Sequence, residues 1–514
     1  MTSTTTASAP TTHVETRSGA YADSVTLLQV SKQVAATDGV EAAQVAMATP
    51  LNIDTLEEMG FDLPPTSPND MVVALRLAPD GNLTVALAAV DTALTAATRR
   101  TVGGDTGVAA ARTVGAALDQ TEAGLALISV PGQYAFVEAM DAIDAGRDVM
   151  IFSDNVPVEQ EIALKRAAET AGVLVMGPDC GTAMVGGLGL GFANTVRPGP
   201  VGIVAASGTG CQQVMTLLEL AAVGMSAALG VGGRDLSTDV GGLSTRQAMR
   251  MLDADPRTEL IMVVSKPPAK QVANDLAEFA GTLTTPVQFA LLGAGEPDLT
   301  QAVESVLTTL GHEVSPWPTW GAAPTAGGPA GFLRGLFVGG TLCDEAMLIA
   351  AESLGPIRSN IPFEPDLALD SSLTASAHLM IDFGDDTLTA GRAHPMIDPT
   401  LRTAQLTKTA ADPETSVILM DVVLGHGAEA DPAGELAPAI AAAIESAYEA
   451  GRRLPVVVAC VGTALDPQDL ERQANALADA GAQVFASNAQ AAHHAVSLVT
   501  SPASADATST GGTR

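Results

Sequence analysis

Val201-Gly202-Ile203-Val204-Ala205-Ala206-Ser207-Gly208-Thr209-Gly210 is an apolar run of β type that ends in a loop of small residues and continues as a helix. A second stretch has the same build: Val417-Ile418-Leu419-Met420-Asp421-Val422-Val423-Leu424-Gly425-His426-Gly427-Ala428, followed by a helical pattern from about Pro432. A glycine loop that opens a helix leaves backbone N–H groups unpaired at the positive end of the helix dipole, so it can hold an anion without Lys or Arg. Read together, the two loops form the halves of a clamp on one phosphate-like group. Ser207, Gly208, Thr209 and Gly210 supply one half, and Gly425, His426 and Gly427 the other.

The rest of the chain fits a repeating strand-loop-helix protein. At 514 residues it exceeds what one core supports and is expected to divide into about three or four domains. Its 50 glycines, 31 prolines and 47% hydrophobic content suit an α/β architecture. The net charge of -33 repels nucleic acid and anionic lipid surfaces, so neither a nucleic acid nor a membrane is expected as partner. Cys180, Cys211, Cys343 and Cys460 lie far apart with no C-x-x-C pair, which points to a reducing cytoplasm rather than a zinc site or disulfide framework. No run reaches the roughly 18 apolar residues of a membrane span, and the first 17 residues lack a signal-peptide core.

Residues 1–18 and 500–514 are rich in Ser, Thr, Gly and Ala and read as disordered tails. Block 20–98 alternates short apolar runs (24–30, 40–48, 70–77) with helical stretches and reads as a small α/β domain; the Gly/Thr/Ala stretch 99–115 separates it from the second block. Block 120–196 has strands at 125–130, 149–153 and 173–176 divided by helices, the spacing of parallel crossovers. Block 197–312 repeats the pattern with strands at 201–205, 227–231, 260–265 and 287–292. The Pro/Gly-rich segment 313–332 reads as a linker, and block 333–499 as a further doubly wound unit with strands near 335–338, 379–383, 417–423, 456–461 and 483–485.

In open parallel sheets ligands bind at the carboxyl ends of strands, so the loops there carry the candidate residues. His426 can donate to phosphate or act as acid and base near neutral pH; the structural alternative is a solvent-exposed loop histidine. Arg234, after Gly232-Gly233, is the candidate for a bidentate carboxylate or phosphate contact, with Asp235 beside it as a substrate ligand; a surface Arg-Asp pair is the alternative. Arg392, His394, Asp398 and Arg402 crowd one stretch and suit a substrate carboxylate, against the alternative of a hydrogen-bonded structural loop. Lys266 reads as a solvated strand-end lysine and Cys180 as a buried structural thiol. Asp385 and Asp386 have the chemistry for Mg²⁺ but equally that of a turn, and no metal ligand is assigned.

Several of these loops carry a family resemblance. Gly177-Pro178-Asp179-Cys180, the 201–209 segment and Gly232-Gly233-Arg234-Asp235 resemble the succinyl-CoA synthetase alpha subunit in order and spacing. Asp382-Phe383-Gly384, Leu424-Gly425-His426-Gly427 and Leu454-Pro455-Val456-Val457-Val458 resemble the carboxyl-terminal domain of the beta subunit. With Val338-Gly339-Gly340-Thr341-Leu342-Cys343, Asp385-Asp386-Thr387 and the 391–399 stretch, the chain over roughly 20–500 closely resembles the FdrA family of acyl-CoA synthetase-like proteins. The fold this implies is α/β throughout: a small N-terminal α/β domain, a Rossmann-like CoA-binding-type domain, then two flavodoxin-like succinyl-CoA-synthetase-type domains.

The chain departs from that pattern in three places. Gly293-Ala294-Gly295-Glu296-Pro297-Asp298 stands where the alpha subunit carries its phosphorylated histidine. Only the linker stands where the beta subunit has its ATP-grasp domain, so no ATP site is expected in this chain. Block 20–98 and Thr101-Val102-Gly103-Gly104-Asp105 replace the first strand and CoA loop, which leaves CoA open as a ligand, as Mg²⁺ is. A phosphate clamp without a nucleotide domain suits phosphorolysis, with inorganic phosphate as substrate. The resemblance implies a subunit of a carbamoyl or acyl transferase of the type that converts oxalurate and phosphate to oxamate and carbamoyl phosphate. Its expected partners are a small anionic substrate and further subunits of a hetero-oligomer, or copies of itself. The alternatives are an acyl-CoA synthetase-like enzyme that borrows its ATP-grasp from another chain, and a non-catalytic scaffold.

Overall fold

The computed structural model describes residues 11–101, 111–322 and 328–501, and the chain divides into two compact units. The first unit is 1–109 with 384–398, and the second is 110–383 with 399–514. Of the expected separating stretch 99–115, residues 102–110 lie outside the described residues, as does the tail beyond 501.

The first unit is built on a three-stranded antiparallel sheet in the order Thr11–Ser18, Asp70–Leu77, Val40–Met47. The central strand is buried on both faces because its side chains alternate. Met71, Val73, Leu75 and Leu77 meet Leu27, Val30 and Val34 of helix Ser24–Ala35 and Val90 of helix Leu83–Thr101. Val72 and Ala74 meet Leu56 of helix Pro50–Glu58 and Phe61. Two expectations change here. Residues 11–18 are no disordered tail but an edge strand in continuous register, Thr11 opposite Leu77 to Ser18 opposite Asp70. The apolar run 24–30 is the start of a helix, capped by Asp23 Oδ1 accepting from Thr26 N at 2.9 Å, with its buried residues at helical spacing. Segment 384–398, expected in the last block, completes this unit: Asn52 Nδ2 donates to Gly391 O at 3.0 Å and Arg392 Nη1 to Thr55 Oγ1 at 3.0 Å.

The second unit holds three sheets. The smallest is parallel, in the order Leu125–Ile128, Asp148–Ile151, Val175–Met176. The six-stranded sheet runs Val287–Leu291, Leu260–Ser265, Pro198–Ala206, Met225–Gly230, then the antiparallel hairpin Thr182–Val185 and Leu188–Gly191. That hairpin moves the expected boundary at 196/197 back toward residue 181, because its strand pairs with Met225–Gly230. The seven-stranded sheet runs Thr319–Trp320, Gln483–Phe485, Val456–Val461, Thr415–Val423, Phe332–Phe337, Leu379–Asp382, Arg358–Ser359, parallel except for the first strand. The expected linker is therefore partly structural: Thr319–Trp320 closes the sheet edge, and buried Trp317 donates to Glu304 Oε1 at 2.9 Å.

Both large sheets reverse direction in the same way. From Pro198–Ala206 the chain adds one strand on one side and then crosses to the other; from Phe332–Phe337 it adds two on one side and then crosses. The carboxyl ends of these two strands are thus topological switch points, the positions at which open α/β sheets bind ligands. All residues from Val201 to Ala206 and from Leu333 to Phe337 are buried, as strands covered on both faces must be.

Asp235 shows how the second unit is pinned. It is fully buried, and its carboxylate accepts from Lys165 Nζ at 2.7 Å, Thr245 Oγ1 at 2.6 Å and the N–H groups of Ser244 and Thr245. Helix Leu243–Asp253 starts at Gly242, which has no side chain to cap it, so Asp235 acts as its cap from eight residues upstream. Lys165 is buried too and also binds Glu161 at 2.7 Å. Asp235→Ala should leave that ammonium short of a carboxylate and cost about 3–5 kcal/mol, read as a lowered urea midpoint at unchanged slope. A loss under about 1 kcal/mol would show that the network is not structural.

Candidate functional site

Helix Gly208–Leu220 leaves the first switch point and helix Gly340–Leu354 the second, and their N-termini meet. Ser207 caps the first helix by accepting from Gly210 N at 3.0 Å, and its hydroxyl donates to Thr341 Oγ1 at 2.6 Å. Contact is close enough to require glycine. A Cβ on Gly339 would lie 2.9 Å from Thr209 Oγ1, and one on Gly210 would lie 2.9 Å from Thr341 Cγ2. Gly339 caps the second helix without a side chain, so the first-turn N–H groups at Gly340, Thr341 and Leu342 have no side-chain cap.

Charged groups from neighbouring strand ends surround this vertex. Asp421 accepts from Val338 N at 2.8 Å and Gly339 N at 2.9 Å and thereby shapes the Gly339 turn. Burial pushes its carboxyl up, while Arg402 and these N–H groups hold it down. Lys266 follows strand Leu260–Ser265 and is half-buried; a Cβ on Gly340 would lie 3.4 Å from its Nζ and 2.7 Å from Asp382 Oδ2. Asp344, one turn after Gly340 on the same helix face, is pushed up to about 6 by burial, with Lys266 opposing. Lys266 and the first-turn N–H groups of two helix N-termini are the anion-binding elements of this vertex, set against the carboxyls of Asp421, Asp382 and Asp344, and Asp344 is its candidate proton-transfer group.

The structure redistributes the candidate residues. Ser207, Gly208, Thr209 and Gly210 lie at the vertex, but the opposing half is Gly339, Gly340 and Thr341, not Gly425, His426 and Gly427. The physical reason is that Gly425 is committed elsewhere. Its φ of +117° and the 2.6 Å from its would-be Cβ to Ala193 O show a loop pressed onto residues 193–195. There His426 pairs with Ala193 through its backbone, its exposed ring Nε2 is 3.1 Å from Thr195 Oγ1, and Gly427 takes a φ of +82°. The loop touches helix Gly208–Leu220 through Gln212 Nε2, which donates to Leu424 O at 3.2 Å.

Arg234 is spent on Glu161 Oε2 at 2.9 Å and Val156 O at 2.7 Å, and Asp235 is saturated inside the core. Arg402 is buried against Asp421, donating to its backbone O at 2.6 Å, which makes it a support for the Gly339 turn rather than a substrate ligand. Arg392 and His394 belong to the first unit, apart from Arg402 in the second. His394 is driven down to about 4 by burial and accepts from Met396 N through Nδ1 at 3.2 Å. Cys180 is buried and pushed up to about 12, as a structural thiol should be. Asp385 caps the short helix Asp386–Thr389. Two parts of the vertex were given no site role from sequence: Lys266, expected to be solvated, and Gly339 to Thr341, quoted only for the family resemblance. The signal for Gly339 to Thr341 was a glycine pair directly after an apolar strand, with no capping side chain; Lys266 carried none.

Residues 336–498 match the family model described as CoA-ligase, and residues 9–110 match that of the AllF, heavy metal-associated domain. Residues 1–110 and 384–398 contain no cysteine, and among the described residues no group of three or more His, Cys, Asp or Glu is placed to hold a metal ion. The first unit therefore does not fit a thiolate-bound heavy metal. The chain is 39% identical over 484 residues to the "Uncharacterized protein YahF" of Escherichia coli, covering 90% of this chain and 93% of that protein. It is 29% identical over 186 residues to "Succinate--CoA ligase [ADP-forming] subunit alpha 2" of Archaeoglobus fulgidus, covering 35% of this chain and 63% of that subunit. The structure of a dinucleotide-forming acetyl-coenzyme A synthetase of Ca. Korarchaeum cryptofilum, in complex with phosphate and ADP, aligns over 77% of this chain and 86% of that one, at 17% identity and a TM-score of 0.30. No described helix is long and apolar enough to cross a membrane.

Glu345 braces the second helix from inside. Its carboxyl accepts from Leu299 N and Asn488 Nδ2, both at 2.7 Å, so it sits at the N-termini of two further helices, near Asp298 and His493. Burial nevertheless pushes it up to about 7 from the ordinary 4.5. Between those values the folded chain keeps a proton that the unfolded chain releases, so this group's contribution makes stability fall as pH rises through the window and level off above it. Glu345→Gln should remove up to about 3 kcal/mol of that decline, measured as urea unfolding at pH 5 and pH 8. An unchanged difference between the two pH values would show that Glu345 is not its source.

Proposed function

The chain belongs to the FdrA family of acyl-CoA ligase and succinyl-CoA synthetase-like proteins, and on that footing we propose that its second unit transfers an acyl or carbamoyl group through a phosphate-bound intermediate. The observation that carries this reading is the meeting of two switch-point helices beside Lys266. Phosphate is held by backbone N–H groups at Gly208, Thr209, Gly340 and Thr341, with Lys266 balancing its charge. The proposed reaction is phosphorolysis of oxalurate within a multi-subunit transferase. A phosphate oxygen attacks the ureido carbonyl carbon, a C–O bond forms, the bond from that carbon to the oxamate nitrogen breaks, and that nitrogen takes the proton that hydrogen phosphate gives up. Asp344, poised near neutrality, is the group that relays it.

A second reading is favoured by the CoA-ligase match over 336–498: an acyl-CoA ligase subunit that receives its phosphoryl group from a nucleotide-binding partner, with CoA and Mg²⁺ as further ligands. The two readings differ in product. The chain purified with the subunits encoded beside it should convert oxalurate and inorganic phosphate to carbamoyl phosphate. CoA-dependent ADP formation without carbamoyl phosphate would replace the first reading by the second, and neither product would leave a scaffold. For binding alone, Lys266→Met should weaken inorganic phosphate about tenfold by isothermal titration, the loss of one charge-assisted contact. Gly340→Val should abolish it by filling the space between Asp382 and Lys266. Unchanged phosphate affinity in both variants would remove the vertex as the site.

A further inference from the structure

Three carboxyls stand against one ammonium at the two-helix vertex. Asp421 lies in strand Thr415–Val423, Asp382 ends strand Leu379–Asp382, Asp344 sits on helix Gly340–Leu354, and Lys266 follows strand Leu260–Ser265. Burial holds the Cys343 thiol well above its ordinary value, the three carboxylates raise it further, and Lys266 lowers it. All four charged groups thus converge on the first turn of the second helix. Within that set Asp421 is already satisfied, by Val338 N, Gly339 N and Arg402. Asp344 is not. Its residue is 5% exposed, it has no described hydrogen-bond partner, and Lys266 is the one charge described as acting on it. Side chains on a helix lean toward its N-terminus, so the Asp344 carboxyl points back over the turn that holds Gly340.

A carboxyl buried without a donor is costly until something supplies one. Two tetrahedral oxyanions of nearly the same size differ in that respect near neutral pH: both ionic forms of inorganic phosphate carry an O–H, and sulfate carries none. Facing Asp344, phosphate donates a charge-assisted hydrogen bond, whereas sulfate sets one anion against another with no proton between them. We propose that Asp344 makes the vertex selective for an oxyanion that carries a proton, admitting phosphate and rejecting sulfate by accepting the anion's O–H. The inference rests on the vertex as the phosphate site and adds the group that discriminates there. The bond that selects the anion is also the one along which Asp344 relays the proton in phosphorolysis. Burial pushes the Asp344 carboxyl up to about 6, so it accepts above that pH and donates below it, where sulfate becomes an acceptable partner. Lys266, Asp382 and Asp421 face the same turn, and Asp421 is also pushed up to about 6, so the pH profile must be read together with a variant of Asp344 itself.

Isothermal titration of the full chain at pH 8 should show inorganic phosphate bound about tenfold or more tighter than sulfate, the effect of one charge-assisted hydrogen bond. At pH 5 sulfate should gain until the two affinities lie within about threefold of each other. Asp344→Asn keeps the shape and offers an N–H to either anion, so it should hold both within about threefold at both pH values. The comparison of pH 8 with pH 5 uses the unaltered chain and so decides the matter even where the variant fails to fold. No phosphate binding by the unaltered chain would overturn this inference together with the vertex as the phosphate site. Phosphate bound, but no better than sulfate at pH 8, would overturn this inference alone. So would full discrimination retained at pH 5 or in Asp344→Asn, the latter passing the role to Asp382 or Asp421.

Discussion

Two helices that begin at one point present positive dipole ends to each other, and the second unit must offset that repulsion. It does so with carboxylates placed at the ends of adjacent strands. Asp421 takes the N–H groups of Val338 and Gly339, and Asp382 stands beside Gly340. Each helix end is worth on the order of 0.3–1 kcal/mol to a neighbouring charge, so the arrangement is held by steric closeness as much as by electrostatics. The Ser207 to Thr341 hydrogen bond and the glycines at 210 and 339 supply that closeness. Arg402 then holds Asp421, so the support runs from a buried ion pair to a turn and from the turn to the vertex.

The strands were legible because both-face burial demands uninterrupted apolar runs. Segments 201–206, 260–265, 417–423 and 456–461 are such runs, and each is a strand. Edge elements were not legible. Thr11–Ser18 has polar side chains on both faces and is strand only because Asp70–Leu77 lies beside it. Thr319–Trp320 is too short for any period and sits among prolines, yet it pairs with Gln483–Phe485.

The site was half legible for a similar reason. A glycine loop after a strand announces a helix N-terminus, and the Ser207 loop was found that way. Which loop faces it depends on strand order, because the switch point of the seven-stranded sheet follows Phe332–Phe337 rather than Thr415–Val423. Partnerships across long sequence distances left no trace either. Nothing local in the chain ties Arg402 to Asp421 behind Gly339, Asp235 to Lys165, or Lys266 to Gly340. For Arg402 and Asp235 an expected ligand-binding side chain was already consumed by a buried counter-charge, which only the tertiary structure could supply.

The polypeptide crosses between the two units three times, at 109/110, 383/384 and 398/399. On the ribosome this imposes a waiting period. The sheet of the first unit and its three long helices are complete by residue 101, but the segment bearing helix Asp386–Thr389, Gly391 and Arg392 is not yet synthesised. At roughly 5–20 residues per second, its arrival lags by about 15–60 s. During that interval Asn52 and Thr55 lack the contacts to Gly391 and Arg392 that they make in the finished protein.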